Sequence, residues 1–211
     1  MANFKTHVGW GVIIGVSMVV VASVYSLISG WTPLTLIFVA ILIGSLLPDM
    51  DLDEGVPFQI LFGFLGVASA GYVFYDLYGG GQRDVLILAL TAGATFIGVR
   101  FVIGEIFMRF TDHRGIWHSV PAVAFVGLAT VRMMQYCDPQ GDGIMHMYSS
   151  IALSIGYLGH LVLDEVYASV NLAGHSLLPK RSLGSALKFY SRSKVATFLV
   201  YSGIIYLLLF V

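Results

Sequence analysis

Residues 9–29, GWGVIIGVSMVVVASVYSLIS, contain no charged side chain and are almost wholly apolar. A helix that crosses a bilayer needs about 20 consecutive, mostly apolar residues. This stretch reaches that length, so we interpret it as a membrane-spanning helix. The alternative is a cleaved signal peptide, because Lys5 precedes the apolar run and Val21-Ala22-Ser23 is similar to a cleavage site. The length of the run favours a span that stays in the protein.

The composition of the whole chain also indicates a membrane protein. Of its 211 residues, 57% are hydrophobic and only 11% are charged, whereas soluble domains usually carry about a quarter charged residues. The 24 glycines suit close packing of helices in lipid. A net charge of -1 gives no indication of a nucleic-acid partner, and the single cysteine, Cys137, excludes an intramolecular disulfide.

Hydropathy predicts an all-α, multi-pass transmembrane bundle of about seven spans, in one integral membrane domain covering residues 1–211. The second segment is short, so six spans remain the alternative. A polar stretch at about 171–194 separates the last two spans and could form an amphipathic surface helix. The predicted segments are about Gly9–Ser29, Pro33–Leu47, Val56–Tyr75, Asp84–Met108, Ser119–Tyr136, Met145–Leu163 and Val195–Val211.

The distribution of basic residues predicts the orientation of the bundle. Seven spans would place nine of the 11 lysines and arginines on the side of the N-terminus, and only Arg83 and Arg132 on the other side. Cytoplasmic loops carry the excess of Lys and Arg. We therefore expect a cytoplasmic N-terminus, with the connections 49–55, 109–118 and 164–194 on the same side. With six spans, the N-terminus would lie on the opposite face.

Most histidines and acidic residues fall on this same side, and three short motifs there contain three of the six histidines and three of the aspartates. His160 and Asp164 are four residues apart at the end of a span, so they share one helix face. They could ligate one ion together, or one could orient the other; the alternative is a polar helix end at the interface. A carboxylate beside lipid is costly without a partner, which favours a functional role.

The second motif is Pro48-Asp49-Met50-Asp51. Pro48 prevents the second helix from continuing, and carboxylates at alternate positions can flank a hard divalent ion. An acidic turn that only ends a helix explains Asp49 and Asp51 equally well.

The third motif is His113-Arg114-Gly115-Ile116-Trp117-His118-Ser119. His113 and His118 would point about 140° apart on a helix, so they converge only if the helix breaks at Arg114-Gly115. Arg114 is suited to a phosphate or a carboxylate. The alternative is a basic loop at the membrane interface, anchored by Trp117.

The remaining histidines give weaker signals. His7 precedes the first span, and Thr6 could cap that helix and direct His7 into the same layer. His175 lies in the polar stretch and could be a ligand, a proton donor or a solvated side chain. His146 falls at the opposite face. Five of the six histidines therefore lie on one side, as a metal site requires.

Together these motifs resemble those of bacterial inner-membrane proteins described as membrane-bound metal-dependent hydrolases, the LexA-regulated YdjM-like group. The pattern of that family has an N-terminal His, then Pro-Asp-x-Asp, His-Arg-x-x-x-His-Ser, and His-x-x-x-Asp followed by Pro. The resemblance implies a divalent-metal hydrolase in the bacterial inner membrane. The matching elements here, in the same order, are His7, Pro48 to Asp51, His113 to Ser119, His160 to Asp164, and Pro179.

On this basis we expect hydrolysis of an ester or phosphoester in a lipid or other amphiphilic substrate by a metal-activated water. Zinc is favoured over magnesium or manganese because histidine is abundant, and one or two ions could be held. The expected metal ligands are His7, Asp49, Asp51, His113, His118, His160 and Asp164. The expected catalytic side chains are Glu165, Asp112 and Arg114, and the expected headgroup-binding cations are Arg114, Lys180, Arg181 and Lys188.

Two other functions fit parts of the sequence. A metal-ion transporter would place acidic residues or histidines along the middle of its spans. Here only Arg100 and Glu105 lie well inside a predicted span, toward its cytoplasmic end, which favours a site at the membrane surface. Alternatively, a bound metal could hold loops together without catalysing a reaction.

Overall fold

The computed structural model describes residues 3–51, 56–110, 115–169 and 187–209, and the regular elements in these ranges are helices. The predicted all-α, multi-pass bundle is therefore confirmed. A 3-10 helix, Leu47–Asp51, and a π-helix, Gly98–Ile103, accompany eight α-helices. The α-helices are α1 (Phe4–Val24), α2 (Trp31–Leu46), α3 (Val56–Gly79), α4 (Val85–Ile97), α5 (Gly104–Phe110), α6 (Val120–Cys137), α7 (Gly143–Ser169) and α8 (Lys194–Leu209).

Six helical segments in the described ranges are long and apolar enough to cross a membrane. The second segment, whose length was in question, is one of them, because the 3-10 helix prolongs α2 toward Asp49. The last segment, α8, is shorter at 16 residues. The six are Phe4–Val24, Trp31–Asp49, Phe58–Gly79, Val85–Met108, Val120–Cys137 and Gly143–Ala168.

The first helix begins earlier than hydropathy predicts, and the expected cap was wrong. Asn3, not Thr6, caps α1: the Asn3 side chain accepts a hydrogen bond from the Thr6 backbone N–H at 2.9 Å. The Thr6 hydroxyl donates to the same Asn3 oxygen at 2.8 Å. Because Asn3 satisfies the free N–H groups of the first turn, Thr6 lies inside the helix, and His7 is a full turn beyond the cap.

One compact unit comprises Met1–Pro48 and Arg114–Val211. In this unit α7 packs against α1, α2 and α6, and α8 packs against α6. Two glycines allow α2 and α7 to meet backbone to backbone. A Cβ atom on Gly44 would lie 2.0 Å from the Leu153 carbonyl oxygen, and one on Gly156 would lie 2.1 Å from that of Ile41. Small residues permit this close approach of helices in lipid.

The packing of α1 against α2 places His7. The buried residues of α1 include His7, Gly11 and Gly15, which recur every four residues and so share one face. A Cβ atom on Gly11 would lie only 2.2 Å from the Ser45 hydroxyl oxygen. The glycines thus let α1 lie close to α2, and His7 enters the interior one turn before this contact.

A second compact unit comprises Asp49–His113 and contains α3, α4 and α5. The π-helix joins α4 to α5, so the helical backbone continues from Val85 to Phe110. Aromatic rings pack α3 against this second helical segment: the Phe62 ring centre lies 5.5 Å from that of Phe107 in α5 and 4.7 Å from that of Phe58 in α3 itself.

Candidate metal centre

Four side chains that could ligate a metal ion meet inside the first unit. His7 comes from α1, His118 from the turn before α6, and His160 and Asp164 from α7. Each is at most 2% exposed. We call these four residues the histidine–aspartate cluster. Sequence separation between His7 and Asp164 is large, so only the packing of α1 and α2 around α7 brings them together.

The donor atoms of the cluster are close enough to share an ion. One ligand atom from each of His7, His160 and Asp164 lies within 4.8 Å of the others, and the same limit holds between His118 and His160. The His7 Nε2 atom is 3.4 Å from an Asp164 carboxylate oxygen. Two donors on one tetrahedral zinc ion, each at about 2.0–2.2 Å from it, lie about 3.3–3.6 Å apart. The distance between His7 and Asp164 matches this separation, and donors up to 4.8 Å apart would move closer together on binding an ion.

The ring of His160 is oriented by α2. Its Nδ1 atom lies 2.8 Å from the Ser45 carbonyl oxygen. A carbonyl oxygen only accepts, so Nδ1 carries the proton and donates it. In the neutral ring this leaves the lone pair on Nε2. Metal-binding histidines commonly donate their second nitrogen to a carbonyl or carboxylate in this way.

The other two histidine rings pack on His160. The ring of His7 stacks on it with a centroid distance of 3.7 Å and an interplanar angle of 9°. The ring of His118 approaches it edge-on, at 5.6 Å and 65°. His160 is thus the central ring, with its orientation set by three separate segments of the chain.

The turn that carries His118 is held on both sides. The Trp117 indole N–H donates to the Leu47 carbonyl at 3.2 Å, and the Tyr157 hydroxyl donates to the Trp117 carbonyl at 2.6 Å. Ser119 caps α6 with its side chain, which accepts from the Ala122 N–H. Residues 115–119 are not helical, as convergence of His113 and His118 would require, and His113 itself lies outside the described residues.

The structure describes three further predicted site residues, Asp49, Glu165 and Lys188. Asp49 is buried in the 3-10 helix, four residues after Ser45 in the chain. Glu165 follows Asp164 on α7 and is partly exposed. Lys188 lies beside the start of α6, since the Val120 N–H donates to its carbonyl at 3.0 Å. The side chain of Asp51, together with Asp112, His113, Arg114, His175, Pro179, Lys180 and Arg181, lies outside the described residues.

Sequence reasoning missed the groups that orient the cluster. The Ser45 carbonyl belongs to the main chain, so no residue type could have indicated it. Tyr157 gave a usable signal, because it lies three residues before His160 and therefore on nearly the same face of α7. His146 lies 14 residues before His160 at the other end of α7, and its Nε2 atom is 3.8 Å from an Asp138 carboxylate oxygen.

Fold and cluster together define a multi-pass helical membrane protein with a buried set of histidine and aspartate side chains that could hold a metal ion. The chain belongs to the YdjM inner membrane protein family, whose family model matches residues 1–210. No curated protein and no solved structure matches the chain. The resemblance inferred from short motifs therefore extends over nearly the full sequence.

Proposed function

We propose that this protein is an integral membrane, metal-dependent hydrolase that cleaves an ester or phosphoester of a lipid or similar amphiphile at the cytoplasmic face. The main support is the burial of His7, His160 and Asp164 with their donor atoms within 4.8 Å of one another. Buried ionisable groups in a bilayer are costly and usually functional. Membership of an inner-membrane family supports the inner membrane as the location, and the proposal of its cytoplasmic face depends on the distribution of basic residues.

The donor chemistry of the cluster favours zinc, with magnesium or manganese as alternatives. Zinc is commonly bound by imidazole nitrogens and carboxylate oxygens, and three protein ligands are typical of catalytic zinc sites. A bound divalent ion would supply Lewis acidity and lower the pKa of a coordinated water to about 7. His118, held by Trp117 and Tyr157, would complete or extend this set of ligands.

Further ligands and catalytic groups are proposed from the motifs. Asp49 is buried and follows Ser45 by four residues, so we include it as a ligand, together with Asp51 and His113 from the family pattern. Glu165 is the candidate general base or acid, because it adjoins Asp164 yet is not fully buried. Asp112 is the alternative for this role.

Basic side chains would bind the anionic or polar headgroup of the substrate. The carbonyl of Lys188 accepts a hydrogen bond from the Val120 N–H, at the start of α6 and two residues after His118, and on this basis we include Lys188 as a headgroup ligand. Arg114, Lys180 and Arg181 are the other proposed headgroup ligands. The apolar spans would flank the acyl chains, so that hydrolysis occurs at the membrane surface.

Two rival functions predict different outcomes. A transporter would move the ion across the membrane, whereas the cluster residues of α7 lie in its C-terminal half. A protein in which metal only stabilises the helices would bind the ion and catalyse no reaction. The same experiment can separate all three possibilities.

The experiment uses purified, zinc-loaded protein, bis-p-nitrophenyl phosphate, and a panel of phospholipids. Wild-type protein should cleave at least one substrate, and a chelator should abolish the reaction. Glu165→Gln should lower turnover by about 10²–10⁴-fold with its zinc content unchanged, whereas His146→Gln should retain activity. Zinc-loaded protein that cleaves nothing would favour the non-catalytic function. Zinc flux into proteoliposomes that persists in His118→Ala would favour transport.

A further inference from the structure

Arg100 is a charged side chain within a membrane span. It lies in the π-helix of the Val85–Met108 segment and is partly buried in the second unit. A charge in the hydrocarbon region is costly, so such residues usually have a partner. π-Helical turns also occur frequently at functional sites. Neither the proposed hydrolase site nor its ligands explain this arginine.

The contacts of Arg100 are aromatic. Its guanidinium carbon lies 5.5 Å from the centre of the Phe58 ring and 5.2 Å from that of the Phe101 ring. Within the described ranges, no ion pair is formed by Arg100. Aromatic faces attract a cation, but they carry no net negative charge. The described residues of this unit therefore supply no negative charge that pairs with the guanidinium.

The helix backbone makes room for one of these rings. A Cβ atom on Gly104 would lie 3.1 Å from the tip of the Phe58 ring, which is tighter than an ordinary contact. Glycine at this position lets Phe58 approach the helix one turn beyond Arg100. The guanidinium thus lies beside two aromatic rings.

The depth of Arg100 is compatible with a lipid headgroup. Asp84 caps the start of the span, and a hydrocarbon layer of about 30 Å corresponds to about 20 helical residues. Counting from Asp84, the far boundary falls near Gly104, and Arg100 lies about 6 Å inside it. Long basic side chains near a boundary extend toward the interface. A phosphate drawn to that boundary can therefore meet the guanidinium.

We propose that Arg100, seated on Phe58 and Phe101, binds the phosphate group of an anionic membrane lipid. The planar guanidinium suits bidentate recognition of phosphate, and lipid phosphates are the anions available at this depth. The proposal concerns the second unit alone and does not depend on hydrolysis or on the metal. A carboxylate from a second copy of the chain is the rival partner.

The test uses wild-type protein in phosphatidylcholine nanodiscs with and without phosphatidylglycerol, and measures bound phosphatidylglycerol by mass spectrometry. Arg100→Gln should weaken phosphatidylglycerol binding by roughly tenfold or more. Arg100→Lys should keep part of the binding, because it retains the charge but loses the planar fork. Inorganic phosphate added to phosphatidylcholine nanodiscs should not replace the lipid.

Arg83→Gln is the matched control. Arg83 also lies over an aromatic ring, 4.1 Å from the centre of Tyr78, but it precedes the span and donates to the Tyr78 carbonyl. It should leave phosphatidylglycerol binding unchanged. Equal losses in Arg83→Gln and Arg100→Gln, or no loss in either, would overturn the proposal. So would a change from dimer to monomer in Arg100→Gln without a change in bound lipid. An unchanged helical circular dichroism spectrum will establish that each variant is folded.

Discussion

His160 connects the parts of the cluster at the level of single residues. Its Nδ1–H donates to the Ser45 carbonyl, its ring stacks on His7, and its edge faces His118. Each contact comes from a different segment, so the orientation of this ring depends on the correct packing of α1, α2 and α7. Loss of the ring should therefore affect metal binding more than loss of any outer residue.

Tyr157 provides a test of the groups that position His118. Its buried hydroxyl donates to the Trp117 carbonyl, and Tyr157→Phe removes only that oxygen. Outer hydrogen bonds of metal sites typically contribute 10–100-fold to metal affinity, so we expect about a tenfold weaker zinc affinity in a competition titration with a chelator. Tyr148→Phe, on the same helix, should have no effect. Wild-type affinity in Tyr157→Phe would show that this hydrogen bond does not support the site.

Part of the candidate site could be predicted from the sequence. The four-residue spacing of His160 and Asp164 indicates a shared helix face without any knowledge of the fold. The stacking of His7 on His160 could not be predicted, because it depends on how closely α1 approaches α7. The hydrogen bond to the Ser45 carbonyl could not be predicted either, because every residue type has a main-chain carbonyl.

At the scale of the helices, the close contact between α2 and α7 depends on glycine. Gly156→Ala would place a methyl group against the Ile41 carbonyl oxygen, and main-chain atoms cannot move aside as a side-chain end can. We expect a loss of about 1–3 kcal/mol in stability, measured by thermal or denaturant unfolding in detergent.

Gly9→Ala in α1 is the control for this prediction. A Cβ atom on Gly9 would meet nothing within 4 Å, and alanine is favoured over glycine in a helix by about 0.5–1 kcal/mol. Stability should therefore stay constant or rise slightly. If Gly156→Ala and Gly9→Ala behaved alike, the proposed backbone contact between α2 and α7 would be contradicted.

Hydropathy predicted the helical segments well because long apolar runs have few alternatives in lipid. It predicted their ends less well. α1 begins at Phe4 because Asn3 caps it, and α7 extends to Ser169, beyond the predicted end at Leu163. The π-helix at Gly98–Ile103 was not predicted. A continuous apolar run looks the same in an α-helix and in a π-helix, so hydropathy cannot distinguish the two.

At the scale of the whole molecule, the orientation in the membrane is a prediction that the single cysteine can test. Cys137 is exposed at the end of α6, on the side with few basic residues. If that side is periplasmic, a membrane-impermeant maleimide should label Cys137 in intact spheroplasts. The Cys137→Ser variant should remain unlabelled, and a permeant maleimide should label wild-type protein in any orientation. Labelling by the impermeant reagent only after lysis would reverse the predicted topology.

Membership of the inner-membrane family agrees with the class predicted from composition and spans. The motifs predicted that histidines and carboxylates gather at one face of the membrane. Four of the predicted residues form the histidine–aspartate cluster. The prediction of one domain over 1–211 and the roles of the basic residues between 171 and 194 remain predictions. Local sequence patterns do not show which side chains these basic residues contact. Much of the stretch 171–194 lies outside the described residues.

The most direct measurement for the central claim is the metal content of purified protein, determined by elemental analysis after zinc loading and removal of free ions. Wild-type protein and the control His146→Ala should each hold at least one zinc per chain. His160→Ala and Asp164→Ala should hold much less, because each loses a donor from the histidine–aspartate cluster. Full zinc content in His160→Ala and Asp164→Ala, or no retained metal in the wild-type protein, would contradict the account.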